Sequence, residues 1–216
     1  MTEQLLNPYG IGVIDVGSPK LGNIGWSTYN VENQALASGE FLDDFFSPFI
    51  QTLEKRGAIL GLEAPLFVPI REKLMLLTKG RKGEGNKPWS GGAGAQVLAL
   101  NLSIMVYIFK HLTKKCSKIK WVINAAEFDA SPFQVCLFEA LVSGKNKGAS
   151  HVEDAEIMRN FCLSFSKKSV LPSTILEKES GTSYFNLAAS ALFSEGLITD
   201  PALLKCPSPI FKPCLE

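Results

Sequence analysis

Three short apolar runs, each interrupted by a single carboxylate, constrain this chain most: IGVIDVG with Asp15, AILGLEAP with Glu63 and QVCLFEAL with Glu139. Runs of this length, apolar at both alternations, suit strands covered on both faces of a sheet. A carboxylate there is costly to bury unless it is paired, hydrogen-bonded or bound to a metal. For Asp15, in YGIGVIDVGSPKLGNIGW, the options are a helix or turn cap, an anchor for a phosphate-binding hairpin, or a metal ligand. In each run the acid follows two residues at alternating positions: Ile11 and Val13, Ile59 and Gly61, Val135 and Leu137. Each acid stands near the C-terminal end of its run, where open α/β sheets place their ligand crevices. A solvated strand end accounts for one such acid more easily than for three.

The segments between these runs supply turns and helices. The spacing predicts a strand at 10–17, a turn at 18–23 and a second strand over about 24–31, with a weak third near 34–38. Glycine and proline in the turn suit a hairpin. Residues 39–56 carry Phe41, Leu42, Phe45, Phe49, Ile50 and Leu53 at helical spacing, with Pro48 expected to kink or break the helix. AILGLEAPLFVPI is of strand length and is closed by prolines; 79–94 is a glycine-rich basic loop, and a helix follows over about 94–113. KWVINAAEF and QVCLFEALV read as two further strands, and 150–166 and 182–196 as helices, the latter stopped by Gly196. Asp200-Pro201 suits the start of a last short helix. The class is α/β with a mixed sheet, and no internal repeat is present.

With 216 residues, the chain can form one domain with an ordinary core. A hydrophobic content of 46% with 20% charged residues excludes a disordered chain. The formal charge of +1 gives no global attraction to a polyanion, so a nucleic-acid partner must meet a local basic patch. No uninterrupted apolar run approaches the roughly 20 residues of a membrane helix, and MTEQLLNPYG lacks the basic-then-apolar order of a signal peptide. Five scattered cysteines without a CxxC pair suggest reduced thiols and a cytoplasmic protein without membrane attachment. Cys206 and Cys214 bracket CPSPIFKPC and could bridge or bind metal, but no histidine lies near them.

The helix at 150 adds a fourth acid. Ser150 and Glu153 form S-x-x-E, a capping box, which accounts for Glu153. Asp154 has Ile157, Met158 and Phe161 at helical spacing, so it lies on the apolar side that packs on the sheet. The helix dipole favours an acid in the first turn but does not require one on the buried face. Carboxylates gathered at one sheet edge repel one another unless a cation sits among them. Oxygen ligands without a His or Cys cluster suit Mg²⁺ or Mn²⁺. If Asp15 and Glu63 stand on adjacent strands, their backbones lie about 4.8 Å apart. That spacing is compatible with shared ligation of two ions roughly 3.5–4 Å apart, the clamp used for in-line phosphoryl displacement.

At these residues the chain resembles the RNase H-like superfamily and, more narrowly, a family of uncharacterised proteins described as predicted RNase H-like nucleases. The segments that carry the resemblance are IGVIDVG with the hairpin ending at Trp26, GLEAPLFVP, VCLFEALVSG and HVEDAEIM, within about residues 9–166. The resemblance implies a mixed sheet with an early antiparallel hairpin and helices on both faces. Beyond that core, the helices expected over 182–196 and from Asp200 make 167–216 a helical extension of one domain spanning 1–216. The resemblance places the first acid on the first strand, the second on the fourth strand after the first helix, and another on a late helix. Asp15, Glu63 and Asp154 match that order, and Glu139 matches the acid of the fifth strand. The family more often has Asp at Glu63 and Pro at Leu141 or Val142. The implied activity is divalent-metal-dependent hydrolysis of DNA or RNA, with Asp15, Glu63, Glu139 and Asp154 catalytic and Asp15, Glu63 and Asp154 holding Mg²⁺ or Mn²⁺.

Lys79, Arg81, Lys82 and Lys87 with Trp89 suit a phosphate backbone and one stacked base, or simply a solvated loop. GRKGEGNK fails as a phosphate-binding P-loop because Asn86 takes the lysine position and no strand leads in. Ser90–Gly94 opens a helix and could meet an anion. His151, one turn before Asp154, could relay a proton or position water, whereas His111 reads as a surface residue. Two further readings remain: a non-catalytic RNase H-like scaffold binding nucleic acid or protein, and a relative of actin-like ATPases suggested by DVGSPKLGN.

Overall fold

The run Gly10–Asp15 forms the first strand, β1, buried along its whole length. A computed structural model describes this strand within residues 7–84, 88–177 and 179–213. The chain turns back through a 3-10 turn at Pro19–Leu21 into Gly25–Tyr29 (β2), antiparallel to β1; Leu36–Gly39 (β3) then pairs with β2. Gly22 closes the turn at φ 69°, a left-handed conformation that costs glycine nothing.

The helix Leu42–Leu53 (α1) crosses over to Ala58–Leu62 (β4), which lies parallel to β1. Pro48 stands inside α1 without ending it. Proline in a helix interior costs about 3 kcal/mol. Phe45, Phe46, Phe49 and Leu53 are all at most 1% exposed, and burial stabilises each by roughly 1.5–3 kcal/mol. The packing outweighs the lost hydrogen bond.

The expected single strand AILGLEAPLFVPI divides in two. Its second half, Phe67–Arg71 (β5), leaves the main sheet and pairs antiparallel with Thr182–Asn186 (β8). The helix expected over 182–196 therefore begins later, as Leu187–Ser194 (α4), with Asn186 accepting from the Ala189 N–H as its cap. Gly196, at φ 67°, lies just past its end. Between β5 and β8 come Gly92–Lys115 (α2), Lys120–Val122 (β6), Gln134–Ala140 (β7) and His151–Ser166 (α3). The strand expected in KWVINAAEF shortens to β6, followed by a 3-10 turn at Ala125–Glu127.

The main sheet runs β3-β2-β1-β4-β7-β6, mixed in direction, with Ile210–Phe211 (β9) pairing parallel to the end of β7. The C-terminal region, expected to be a helical extension, thus returns a strand to the central sheet. One face, with Ile14, Trp26, Leu60, Leu62, Val135 and Leu137, packs against α1, α2 and α4. The other, with Ile11, Val13, Ile59, Cys136 and Phe138, packs against α3. By length and composition α2 is apolar enough to cross a bilayer; here Ile104, Met105, Ile108, Phe109 and Leu112 are buried in the first core. Cys116, Cys136, Cys162 and Cys206 are free thiols; Cys214 lies outside the described residues.

Candidate metal centre

Parallel pairing of β1 and β4 sets Ile14 beside Leu62, and the Glu63 N–H donates to the Ile14 carbonyl at 2.8 Å. Asp15 and Glu63 are therefore neighbours just beyond the last paired residues. Strand alternation turns Asp15, like Ile11 and Val13, to the face covered by α3, and Glu63 follows Ile59 and Gly61 to the same face. Helix α3 brings Asp154 in its first turn. Carboxylate oxygens of Asp15, Glu63 and Asp154 lie within 4.8 Å of one another and could together hold a metal ion.

The three acids differ in how well they are satisfied. Asp154 accepts from the Gly148 N–H at 2.7 Å and pairs with the Lys147 ammonium at 3.1 Å. Asp15 meets His151 Nδ1 at 2.6 Å. A carboxylate only accepts, so toward the ionised Asp15 the ring donates through Nδ1. Glu63 Oε2 is buried with no hydrogen-bond partner among the described residues. Burial, reinforced by the Asp15 charge, raises the Glu63 carboxyl well above the usual glutamate range. Burial also raises Asp15, against the opposing pull of His151. A buried carboxylate with an orphaned oxygen, clustered with two other acids, is what a cation would satisfy.

Close approach of α3 depends on Gly25, the residue opposite Asp15 in the hairpin. A Cβ there would overlap the His151 carbonyl group and the Val152 nitrogen, so the helix start rests directly on strand backbone. Gly25→Ala is expected to cost about 1–3 kcal/mol through overpacking. It should also weaken metal binding by moving His151 and Asp154 outward; thermal melts and Mn²⁺ titration measure the two effects. Unchanged melting with unchanged Mn²⁺ affinity would show that this contact is not needed.

Glu139 does not join the cluster. It pairs with Leu62, not with a residue of the Asp15 face, and follows Val135 and Leu137 to the side of α1 and α2. There Arg81 donates to both of its oxygens, to Oε2 at 2.8 Å, and the Leu66 N–H donates to Oε2 at 3.0 Å. Its place is structural: it holds the turn that follows Glu63.

The basic loop is also rearranged relative to expectation. Arg81 is buried between Glu139 and Glu84, with its guanidinium 4.5 Å over the Phe67 ring, and is not a surface phosphate ligand. The charges of Glu139 and Glu84 outweigh burial and hold it firmly protonated. Lys82 is exposed and pairs with Glu177 at 2.7 Å. Lys79 is exposed, and its carbonyl accepts from the half-buried Trp89 indole at 3.3 Å. Lys87 lies outside the described residues.

Sequence reasoning passed over Lys147 and Gly25. The signal for Lys147 was a basic glycine-flanked turn, GKNKG, just ahead of the acid-bearing helix. For Gly25 it was a glycine placed across the hairpin from the acid. No protein-family model, curated protein or solved structure matches the chain.

Proposed function

We propose that the protein is a divalent-metal-dependent phosphodiesterase acting on nucleic acid, built on an RNase H-like sheet. The observation that carries this reading is the convergence of Asp15, Glu63 and Asp154 around a buried, unpartnered Glu63 oxygen. The order of acids, at the end of β1, just past β4 after the first helix and on a late helix, follows the order that the resemblance implies. An all-oxygen donor set suits Mg²⁺ or Mn²⁺. Such an ion supplies Lewis-acid polarisation of a phosphoryl oxygen and lowers the pKa of bound water.

The chain's own residues divide the remaining work. Asp15, Glu63 and Asp154 serve as ligands, drawn from two strands and a helix so that each is held by a separate element. His151 fixes the orientation of Asp15 through Nδ1. Glu139 acts only through the turn at Leu66. Exposed Lys79 and half-buried Trp89 are the described members of the basic loop that suit contact with a nucleic-acid strand.

Asp15→Asn is expected to abolish Mn²⁺ binding in titration calorimetry and, with it, metal-dependent cleavage across single-stranded, duplex, hybrid and junction substrates. Absence of any heat of binding from the unmodified protein at millimolar Mn²⁺ would sink the reading. A second reading, a non-catalytic scaffold, draws on the protein partners that Asp15 and Asp154 already have. It predicts nucleic-acid binding that is indifferent to Mn²⁺ and to Asp15→Asn.

A further inference from the structure

Three clustered carboxylates need positive charge, and among the described residues the Lys147 ammonium is placed to supply it. Lys147 follows the 3-10 turn Gly144–Asn146, and its side chain is 49% exposed while its ammonium lies 3.1 Å from Asp154 Oδ2. The ammonium touches Asp154, a carboxylate oxygen of which lies within 4.8 Å of oxygens of Asp15 and Glu63. Asp154 does not depend on it for orientation, because the Gly148 N–H holds the other oxygen at 2.7 Å. Glu63 Oε2 remains unpartnered even with the lysine present. A single charge on a flexible four-carbon stem balances the triad incompletely.

We propose that Lys147 is a displaceable counter-ion of the triad: its ammonium takes the cation's place beside Asp154, and a divalent ion must displace it to bind. This rests on the metal reading above. The exchange swaps one positive charge for two and brings an oxygen-seeking cation to Glu63, which the lysine leaves unsatisfied. After displacement the ammonium stays tethered at the mouth of the site by its short turn. There it can meet a phosphate oxygen of a bound strand.

The test is Mn²⁺ titration of the full chain, at low ionic strength, for the unmodified protein, Lys147→Met and Lys147→Gln. Lys145→Met serves as a control, because Lys145 is exposed on the same turn and its loss changes net charge equally. Both Lys147 variants should bind Mn²⁺ roughly tenfold tighter, as expected for removal of one charge-assisted contact, while Lys145→Met stays within about twofold of the unmodified protein. Without metal, the Lys147 variants should melt below the unmodified protein, and saturating Mn²⁺ should close that gap. Equal or weaker Mn²⁺ binding by folded Lys147→Met and Lys147→Gln overturns the counter-ion role and leaves the metal site standing. Equal tightening by Lys145→Met also overturns it, since net charge alone would then be responsible. No Mn²⁺ binding by any form overturns the metal reading itself.

Discussion

Arg81→Met is expected to destabilise the protein by about 3–5 kcal/mol, the usual cost of breaking a buried ion pair on one side. Arg81, Glu84 and Glu139 are each at most 5% exposed, so removing the guanidinium strands two carboxylates where water cannot reach them. The loss is compounded because Arg81 Nη1 also donates to the Phe67 carbonyl at 3.1 Å. For a chain of this size the melting temperature should fall by roughly 6–20 °C. Urea denaturation gives the free energy directly. Adding Glu139→Leu to Arg81→Met should recover part of the loss, since an apolar replacement removes one stranded charge. Recovery stays partial because Glu84 remains unpaired and the Leu66 N–H loses its acceptor. A single Arg81→Met variant with an unchanged urea midpoint would show that the cluster contributes nothing to stability.

Glu63→Gln should move stability and metal affinity in opposite directions. In the folded protein, burial and the Asp15 charge raise the Glu63 carboxyl, so it holds a proton that the unfolded chain has already released. The stabilisation linked to that proton is complete below the unfolded value of about 4.3 and is lost as pH rises through the elevated folded value. The metal-free protein is therefore expected to melt lower at neutral pH than at mildly acidic pH as far as this group is concerned. Glutamine removes the charge, flattening that slope. At neutral pH it should stabilise the metal-free protein, because a neutral amide puts no negative charge beside Asp15 in a buried position. The same change deletes a ligand, so saturating Mn²⁺ should raise the melting temperature of the unmodified protein and leave Glu63→Gln unmoved. Melting curves at several pH values, with and without Mn²⁺, read all of this. A destabilised Glu63→Gln with an intact Mn²⁺ response would remove Glu63 from the site.

The sheet's buried centre was legible because IGVIDVG, AILGLEAP and QVCLFEAL are apolar at both alternations, and only strands covered on both faces need that. Asp154 was legible for a related reason, since helical spacing puts it with Met158 on the buried side. What the three runs do not carry is their relative register. Read alone, its run makes Glu139 the equivalent of Asp15 and Glu63, yet it lies opposite Leu62. One residue of offset sends its side chain through to the other face. Pairing of Thr182–Asn186 with Phe67–Arg71 was equally hidden. Its partner is more than a hundred residues distant, and TSYFN has too few apolar positions to announce a strand alone. Arg81 read as a surface charge because glycines surround it; the buried acid that draws it inward stands 58 positions later.

The two-residue strand β9 has a bearing on how the molecule comes into being. Ile210 and Phe211 are both at most 1% exposed, the Phe211 ring lies 4.8 Å from that of Phe138, and the Glu139 and Leu141 N–H groups donate to the carbonyls of Pro209 and Phe211. A chain emerging from the ribosome has β1, β4 and β7 in hand long before residues 210 and 211 appear. Through that interval the end of β7 presents unpaired backbone groups, a template on which another nascent chain can add a strand. Completion of the sheet that bears the acids therefore waits until residues 210 and 211 have been made, and proteolytic clipping ahead of Pro209 would return the protein to that exposed state.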